Sequence, residues 1–312
     1  MAGLGKGEAY SLAAAFTWGF AMVLFKRTGE SVPPMALNLF KNTVGLVLIG
    51  ATLWLIGDPL ETLTRMSRRE IAILLLSGVI GIAVADTIFF AALNRVGVGI
   101  TSIVDCLYSP ATIFFAWLLL QERLYVYHYA GAALIIVGIL LTSQVEPPPD
   151  RTRGQIVAGV LLGALAVSLM AFGIVLTKPV LNREGASLLW CAGVRFLAGT
   201  AALAAFVIVT PQRSTLKLAF RPSPVWAWSL PAAVLASYVC YLFWMAGFKY
   251  AQAAIAAVLN QTAVIFAILL AAVILKEPLS ARKLAALALA VGGVLIITLG
   301  EQLRTWYVRL AG

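Results

Sequence analysis

Residues 91–124 of this 312-residue chain reappear 155 positions later without a gap. Ala91-Ala-Leu-Asn-Arg-Val-Gly97 through Gln121-Glu-Arg-Leu124 lies over Ala246-Gly-Phe-Lys-Tyr-Ala-Gln252 through Lys276-Glu-Pro-Leu279, pairing Ile100 with Ile255, Ala116 with Ala271, Leu120 with Leu275 and Glu122 with Glu277. The register persists further on, where Ala133 meets Ala288, Leu134 meets Leu289 and Gly138 meets Gly293. A chain written twice from one unit folds as two equivalent halves, and here each half is almost wholly apolar. Duplicated sets of membrane helices are the plan of secondary transporters, which hold their cargo between the repeats near the bilayer midplane.

Composition supports a membrane. The chain is 62% hydrophobic and only 12% charged, with a mean hydropathy of +0.96. A soluble core could not consume that much apolar surface, so lipid must solvate much of it. Runs long enough to span a bilayer, roughly 20 residues, fall near 9–26, 34–57, 70–93, 97–121, 126–144, 155–177, 186–210, 226–250, 252–275 and 281–300. Lipid cannot satisfy a bare backbone, so each must be a helix or part of a closed barrel. Continuous apolar runs without alternation select helices. The expected fold is an all-α integral membrane protein of ten spans, arranged as two inverted five-helix repeats. Five is odd, so the second copy of a direct repeat enters the bilayer upside down.

The expected boundaries are a first repeat over 1–145, a connector over 146–154, a second repeat over 155–300 and an interfacial tail over 301–312. The connector carries Pro147-Pro-Pro149, a short extended spacer within one membrane domain. The tail carries Arg304, Trp306, Tyr307 and Arg309, residue types that favour the lipid headgroup level. The first apolar run has no Ala-x-Ala site at its end and leads into Lys26-Arg27 and a second span, so it reads as span 1 and not as a cleaved leader.

Several function classes fall away. Cys106, Cys191 and Cys240 lie far apart inside spans without histidine or cysteine neighbours, so no metal and no redox cofactor is expected. His128, the one histidine, sits in the aromatic run Tyr125-Val-Tyr-His-Tyr129, an interface belt. The net charge of +10 is spread over loops, which suits phospholipid headgroups and not nucleic acid. Lys and Arg number ten on the side of the termini and eleven on the other. The positive-inside rule is therefore silent, and only the Arg65–Arg69 cluster leans toward cytoplasmic termini.

Ionisable groups inside a span are costly and point to function. Four qualify: Lys41, Asp86, Asp105 and Arg195. Lys41 and Arg195 can serve as snorkelling or helix-tying groups. Asp86 and Asp105 should lie at similar depth on spans 3 and 4, joined by a tight turn at Asn94-Arg95. Their counterparts in the second repeat are Tyr241 and Asn260. Close together, the two carboxylates would titrate as a coupled pair, suiting a proton or an amine; otherwise they are hydrogen-bonding links between helices. Span 4 carries Tyr108-Ser109-Pro110, and Pro110 predicts a kink. Span 9 has Asn260-Gln261-Thr262 at the matching depth and no proline, so it should bend less. Trp18 with Thr17 on span 1, and Ser237, Tyr241 and Trp244 on span 8, supply aromatic and hydroxyl groups for a pocket that takes a planar or amphipathic solute. Packing is the competing role for each. Gly131, Gly138, Gly292 and Gly293 allow close helix contact by spans 5 and 10.

Pro110-Ala-Thr-Ile-Phe-Phe-Ala-Trp-Leu-Leu-Leu-Gln-Glu122 with Tyr129-Ala-Gly-Ala-Ala-Leu-Ile-Ile-Val-Gly138, and the second copy Ala263-Val-Ile-Phe-Ala-Ile-Leu-Leu-Ala-Ala-Val-Ile-Leu-Lys-Glu277 with Leu287-Ala-Leu-Ala-Val-Gly-Gly293, resemble the EamA family of the drug/metabolite transporter superfamily over essentially the whole chain. Ile265 departs from Pro110. Within the family the chain resembles the YddG-like aromatic amino acid exporters of the bacterial inner membrane. The resemblance implies ten helices, cytoplasmic termini, and a central cavity lined mainly by spans 1, 3, 4, 6, 8 and 9. Spans 2 and 7 would be peripheral, which sets Lys41 and Arg195 aside. Glu122 and Glu277 match the family glutamate and read as turn and cap residues beside water.

The leading expectation is a non-enzymatic carrier that exports aromatic and other neutral amino acids by alternating access. The candidate cavity residues are Trp18, Asp86, Asp105, Tyr108, Ser109, Ser237, Tyr241, Trp244, Asn260 and Gln261. Proton-coupled efflux of cationic drugs or other metabolites through Asp86 or Asp105 is the second transporter reading. A phosphorylated-sugar carrier is disfavoured because the inferred cavity spans lack a basic pair. An intramembrane hydrolase would need a histidine within the membrane or carboxylates in glycine-rich motifs, and Val84-Ala-Asp86 and Ile103-Val-Asp105 offer neither.

Overall fold

The computed structural model describes residues 5–28, 32–58, 60–142, 152–274 and 280–311, with no strand among them. Of the expected connector only its last residues are included, and Lys276 and Glu277 lie outside the described residues. Ten apolar helical segments run in order along the chain: α1 (Lys6–Phe25), α2 (Pro34–Ile56), α3 (Arg68–Leu93), α4 (Ile103–Leu120), α5 (Val126–Leu141), α6 (Arg153–Leu181), α7 (Leu188–Val209), α8 (Trp226–Tyr250), α9 (Ala253–Ile274) and α10 (Leu284–Gly300). Eight are long and apolar enough to cross a bilayer; α5 and α10 are shorter. The outer surface is apolar, with Trp54, Val126 and Val209 each more than 80% exposed, as expected where lipid replaces water. The backbone of α10 continues as a helix to Ala311, carrying the tail whose side chains from 301 onward lie outside the described residues.

Short polar side chains start the helices. Ser67 accepts from the Glu70 amide while Glu70 accepts from the Ser67 amide, and Thr152 and Gln155 repeat that reciprocal cap. Each pair satisfies two amides that the first turn leaves without partners. Gly57, at φ 68°, ends α2 in the left-handed region open to glycine.

The repeat is visible in how the helices meet. α1 packs on α8 and α9, and its equivalent α6 packs on α3 and α4. The equivalents α5 and α10 pack on each other. A Cβ added at Gly131 would stand 2.6 Å from the Gly293 carbonyl oxygen, and one at Gly138 would stand 2.8 Å from that of Ala286. Advancing along α5 thus means retreating along α10, so these equivalent helices run antiparallel. The offset of 155 converts the first of those contacts into the second. Gly292 differs from the other three glycines expected at this contact, because a Cβ there meets nothing within 4 Å.

One expectation about bends needs correction. The helix continues past Asn94-Arg95 without a break there. Gly163 nevertheless faces both Ala92, at 3.6 Å from a Cβ built on it, and Val104, at 2.9 Å. Twelve residues of straight helix would separate those two by about 18 Å. The chain therefore doubles back between Ala92 and Val104, beyond Asn94-Arg95. The second half turns at the matching Ala251-Gln252.

Both halves interrupt this span at the same place. α4 breaks where Cys106 and Leu107 bond back three residues, to Ile103 and Val104; α9 breaks where Gln261 shares its amide between Ala257 and Val258 and Thr262 bonds back three residues, to Leu259. These positions are equivalent. Thr262 Oγ1 donates to the Leu259 carbonyl at 2.6 Å, so a hydroxyl on the backbone accompanies in α9 the bend that Pro110 accompanies in α4.

Both halves also carry a π-helical turn at nearly equivalent places, Val79–Val84 in α3 and Leu235–Cys240 in α8. Such turns insert one extra residue and rotate the helix beyond them, and they recur at functional sites. Asp86 and Tyr241, themselves equivalent, follow them within two residues.

Candidate functional site

A cavity of about 530 Å³ opens between the repeats. Nine of the ten sequence candidates line it: Trp18 from α1, Asp86 from α3, Asp105 and Tyr108 from α4, Ser237, Tyr241 and Trp244 from α8, and Asn260 and Gln261 from α9. Ser109 does not. It is 1% exposed and donates to the Ala257 carbonyl at 3.3 Å, tying α4 to α9. Its neighbour Tyr108 opens the helix after the break and takes the cavity-facing position.

The wall also includes two cations that the family resemblance would place at the periphery. Lys41 from α2 and Arg195 from α7 both line the cavity, as do Asn38 and Asn42. Spans 2 and 7 are therefore not peripheral to it. Depth within a span is readable from the sequence, but rotation about the helix axis is not. The polar run Asn38, Lys41, Asn42, at the i, i+3, i+4 spacing of one helix face, is the signal that α2 offers.

The charged groups are held in specific ways. Asn38 Nδ2 donates to Asp86 Oδ2 at 2.9 Å, and Lys41 Nζ donates to Asn42 Oδ1 at 2.8 Å. Asp86 and Asp105 line the same cavity, and the side-chain hydrogen bond to Asp86 comes from Asn38. Arg195 is 2% exposed, one of the largest buried side chains. Its Nε donates to Ser77 Oγ at 3.2 Å and its Nη1 to the Tyr241 hydroxyl at 3.1 Å, while its guanidinium lies 5.2 Å from the centre of the Trp244 ring. Glycines make room for it: a Cβ at Gly81 would come within 3.0 Å of Nη2, and one at Gly78 would collide with the Arg195 carbonyl. Gln261 spends its amide on the Asp105 main-chain oxygen at 2.9 Å. In their ordinary ionised forms the four charged residues of the wall cancel, two cations against two carboxylates.

On the side of the termini a second polar cluster joins the repeats. Gln121, at φ 55°, is the one described residue other than glycine with a left-handed backbone, and it directs Glu122 across to α9. The Glu122 carboxylate accepts from the amides of Ala253 at 2.9 Å and Ala254 at 3.2 Å, the first turn of α9, and stands 3.7 Å from Lys178 Nζ. Lys178 donates to the carbonyls of Phe248, at 2.8 Å, and Ala251. Glu122 is thus a cap as expected, but for a helix of the other repeat, and its side chain is only 10% exposed rather than beside water. Its position in sequence could not disclose a partner 131 residues away.

His128 and the cysteines have structural surroundings. His128 Nδ1 accepts from the Tyr125 amide at 3.0 Å, all three cysteines are buried, and no group of metal-ligating side chains occurs among the described residues.

Comparison with known proteins adds three findings. The family described as the EamA-like transporter family matches residues 5–144 and 157–299. A solved structure described only as the crystal structure of a protein superposes with a TM-score of 0.77 at 21% identity, covering 94% of this chain and 96% of its own; at that identity the likeness shows the fold alone. No curated protein matches significantly.

Proposed function

The chain belongs to the EamA-like transporter family, and from that premise we propose that it carries amino acids, aromatic and other neutral ones, out across the bacterial inner membrane by alternating access. The observation that carries this reading is the cavity of about 530 Å³, whose wall combines aromatic rings with two cations and two carboxylates. Its volume falls in the range of small-molecule sites, about 300–1,000 Å³. Trp18, Phe89, Phe90, Tyr108 and Trp244 offer faces for an aromatic side chain. A wall of zero formal charge suits a zwitterion better than an ion of either sign.

Lys41 and Arg195 supply the basic pair whose lack counts against a phosphorylated substrate. Asp86 and Asp105 face the same space, however, and would repel a phosphate dianion. In this reading the ten apolar segments are ten spans in two inverted repeats, divided as 1–145 and 155–300, with both termini cytoplasmic. The antiparallel contact of α5 with α10 supports the inversion.

The test is counterflow of labelled phenylalanine or tryptophan into liposomes holding the purified protein. Acceleration over empty vesicles is expected. No acceleration for any member of a broad amino acid panel would overturn the reading.

A further inference from the structure

Arg195 and Asp86 are opposite charges that line one cavity without pairing. Among the described residues no carboxylate comes within 4 Å of Arg195 and no cation within 4 Å of Asp86. Both are otherwise well positioned. The guanidinium is fixed by two neutral partners, Ser77 and Tyr241, and its Nη2 makes no hydrogen bond among the described residues. A rigid guanidinium with unspent N–H groups is a receptor for a carboxylate.

Asp86 takes one bond on Oδ2, from Asn38, and none on Oδ1. Asn38, 2% exposed on the same wall, has turned its amide nitrogen to Asp86, and its Oδ1 is buried without a partner. Two acceptors, one charged and one neutral, therefore stand together without a donor, which is the environment that an ammonium satisfies. Lys41 lines the same wall but gives its hydrogen bond to Asn42. Burying such groups unmatched is costly, and a single solute carrying an anion next to a cation would match all of them.

We propose that Arg195 binds the α-carboxylate of the substrate, and that Asp86 with Asn38 Oδ1 binds its α-ammonium. This rests on the amino acid reading above and deepens it. The equivalent positions 86 and 241 then divide the work: Asp86 meets one end of the zwitterion, and Tyr241 holds the guanidinium that meets the other.

The test pairs ligands with variants, using counterflow of labelled phenylalanine and competition by phenethylamine, which lacks the carboxylate, and 3-phenylpropionate, which lacks the ammonium. In wild type both analogues should compete about 10- to 100-fold less well than phenylalanine, the usual worth of a hydrogen bond to a charged group. Arg195→Gln should bring phenethylamine to within about threefold of phenylalanine, since the ligand's carboxylate then has nothing to lose. Asp86→Asn should do the same for 3-phenylpropionate. Should Arg195→Gln fail to fold, Asn38→Ala keeps the test, weakening phenylalanine while leaving 3-phenylpropionate unchanged. Folded variants that keep the full wild-type discrimination would overturn the assignment while leaving amino acid transport intact. A wild type that moves no amino acid would overturn both.

Discussion

The two repeats agree in frame and disagree in lining. Breaks, turns and π-helical stretches recur at matching positions, whereas the side chains that those bends aim inward do not. Asp86 answers to Tyr241, Asp105 to Asn260, and Tyr108 to Ala263. In α2 the order is Phe40-Lys41, and in α7 it is Arg195-Phe196, so the equivalent cations are displaced by one residue. Duplication thus supplied a symmetric housing, and later divergence supplied a site with an acidic wall in one half and a guanidinium in the other. Symmetry governs what the backbone can do, and asymmetry governs what it holds.

The largest effect should come from erasing that asymmetry. Tyr241→Asp places beside Arg195 the residue found at the equivalent position 86. The new carboxylate would occupy the guanidinium, and phenylalanine counterflow should fall at least ~100-fold. Tyr241→Phe removes one hydrogen bond only and should cost ~1 kcal/mol, less than tenfold. Equal losses in the two variants would show that position 241 serves packing alone.

Next comes the contact shared by α5 and α10. Gly293→Leu would drive a side chain into the Gly131 carbonyl, which lies 2.6 Å from the nearest possible Cβ, and should lower stability by ~3 kcal/mol. Gly292→Leu meets open space and should change the melting temperature by no more than a degree or two. Similar melting temperatures for the pair would refute the crossing described above.

A smaller effect is expected at the cap that joins the repeats. Glu122→Gln exchanges one acceptor for a donor facing the amides of Ala253 and Ala254. Those two amides should exchange hydrogen ~10-fold faster, corresponding to ~1.4 kcal/mol of local stability, while amides around Gly131 stay unchanged. The smallest effect belongs to Pro110→Ala. Because α9 breaks at the equivalent residues without proline, transport should stay within about twofold of wild type. A large loss would mean that the bend in α4, unlike that in α9, depends on its proline.

These contrasts also explain what the sequence can convey. The helical segments and repeat register are legible because bilayer thickness sets the length of an apolar run and duplication preserves spacing. Asp86 and Tyr241 are legible as polar interruptions of such runs. Arg195 escapes a sequence reading because its depth fits a snorkelling side chain equally well, and only packing at Gly78 and Gly81 fixes its direction. Ser109 misleads because the break at Cys106-Leu107, one turn before the expected kink, rotates Tyr108 inward in its place. The cap made by Glu122 depends on a contact between repeats, which no local pattern encodes.

One contact has a mechanical consequence. Applying the repeat relation to Gly131–Gly293 returns Gly138–Ala286, a neighbouring contact in the same crossing. If the two halves trade shapes during a transport cycle, contacts between helices that are not equivalent must lengthen or shorten as one half adopts the other's form. A crossing that the exchange maps onto itself has the same geometry before and after. In such a cycle the bare glycine backbones of α5 and α10 would act as a fulcrum: they would hold the halves at one separation while the cavity walls swing, and their lack of side chains would remove the friction of repacking at a crossing that bears load in both states.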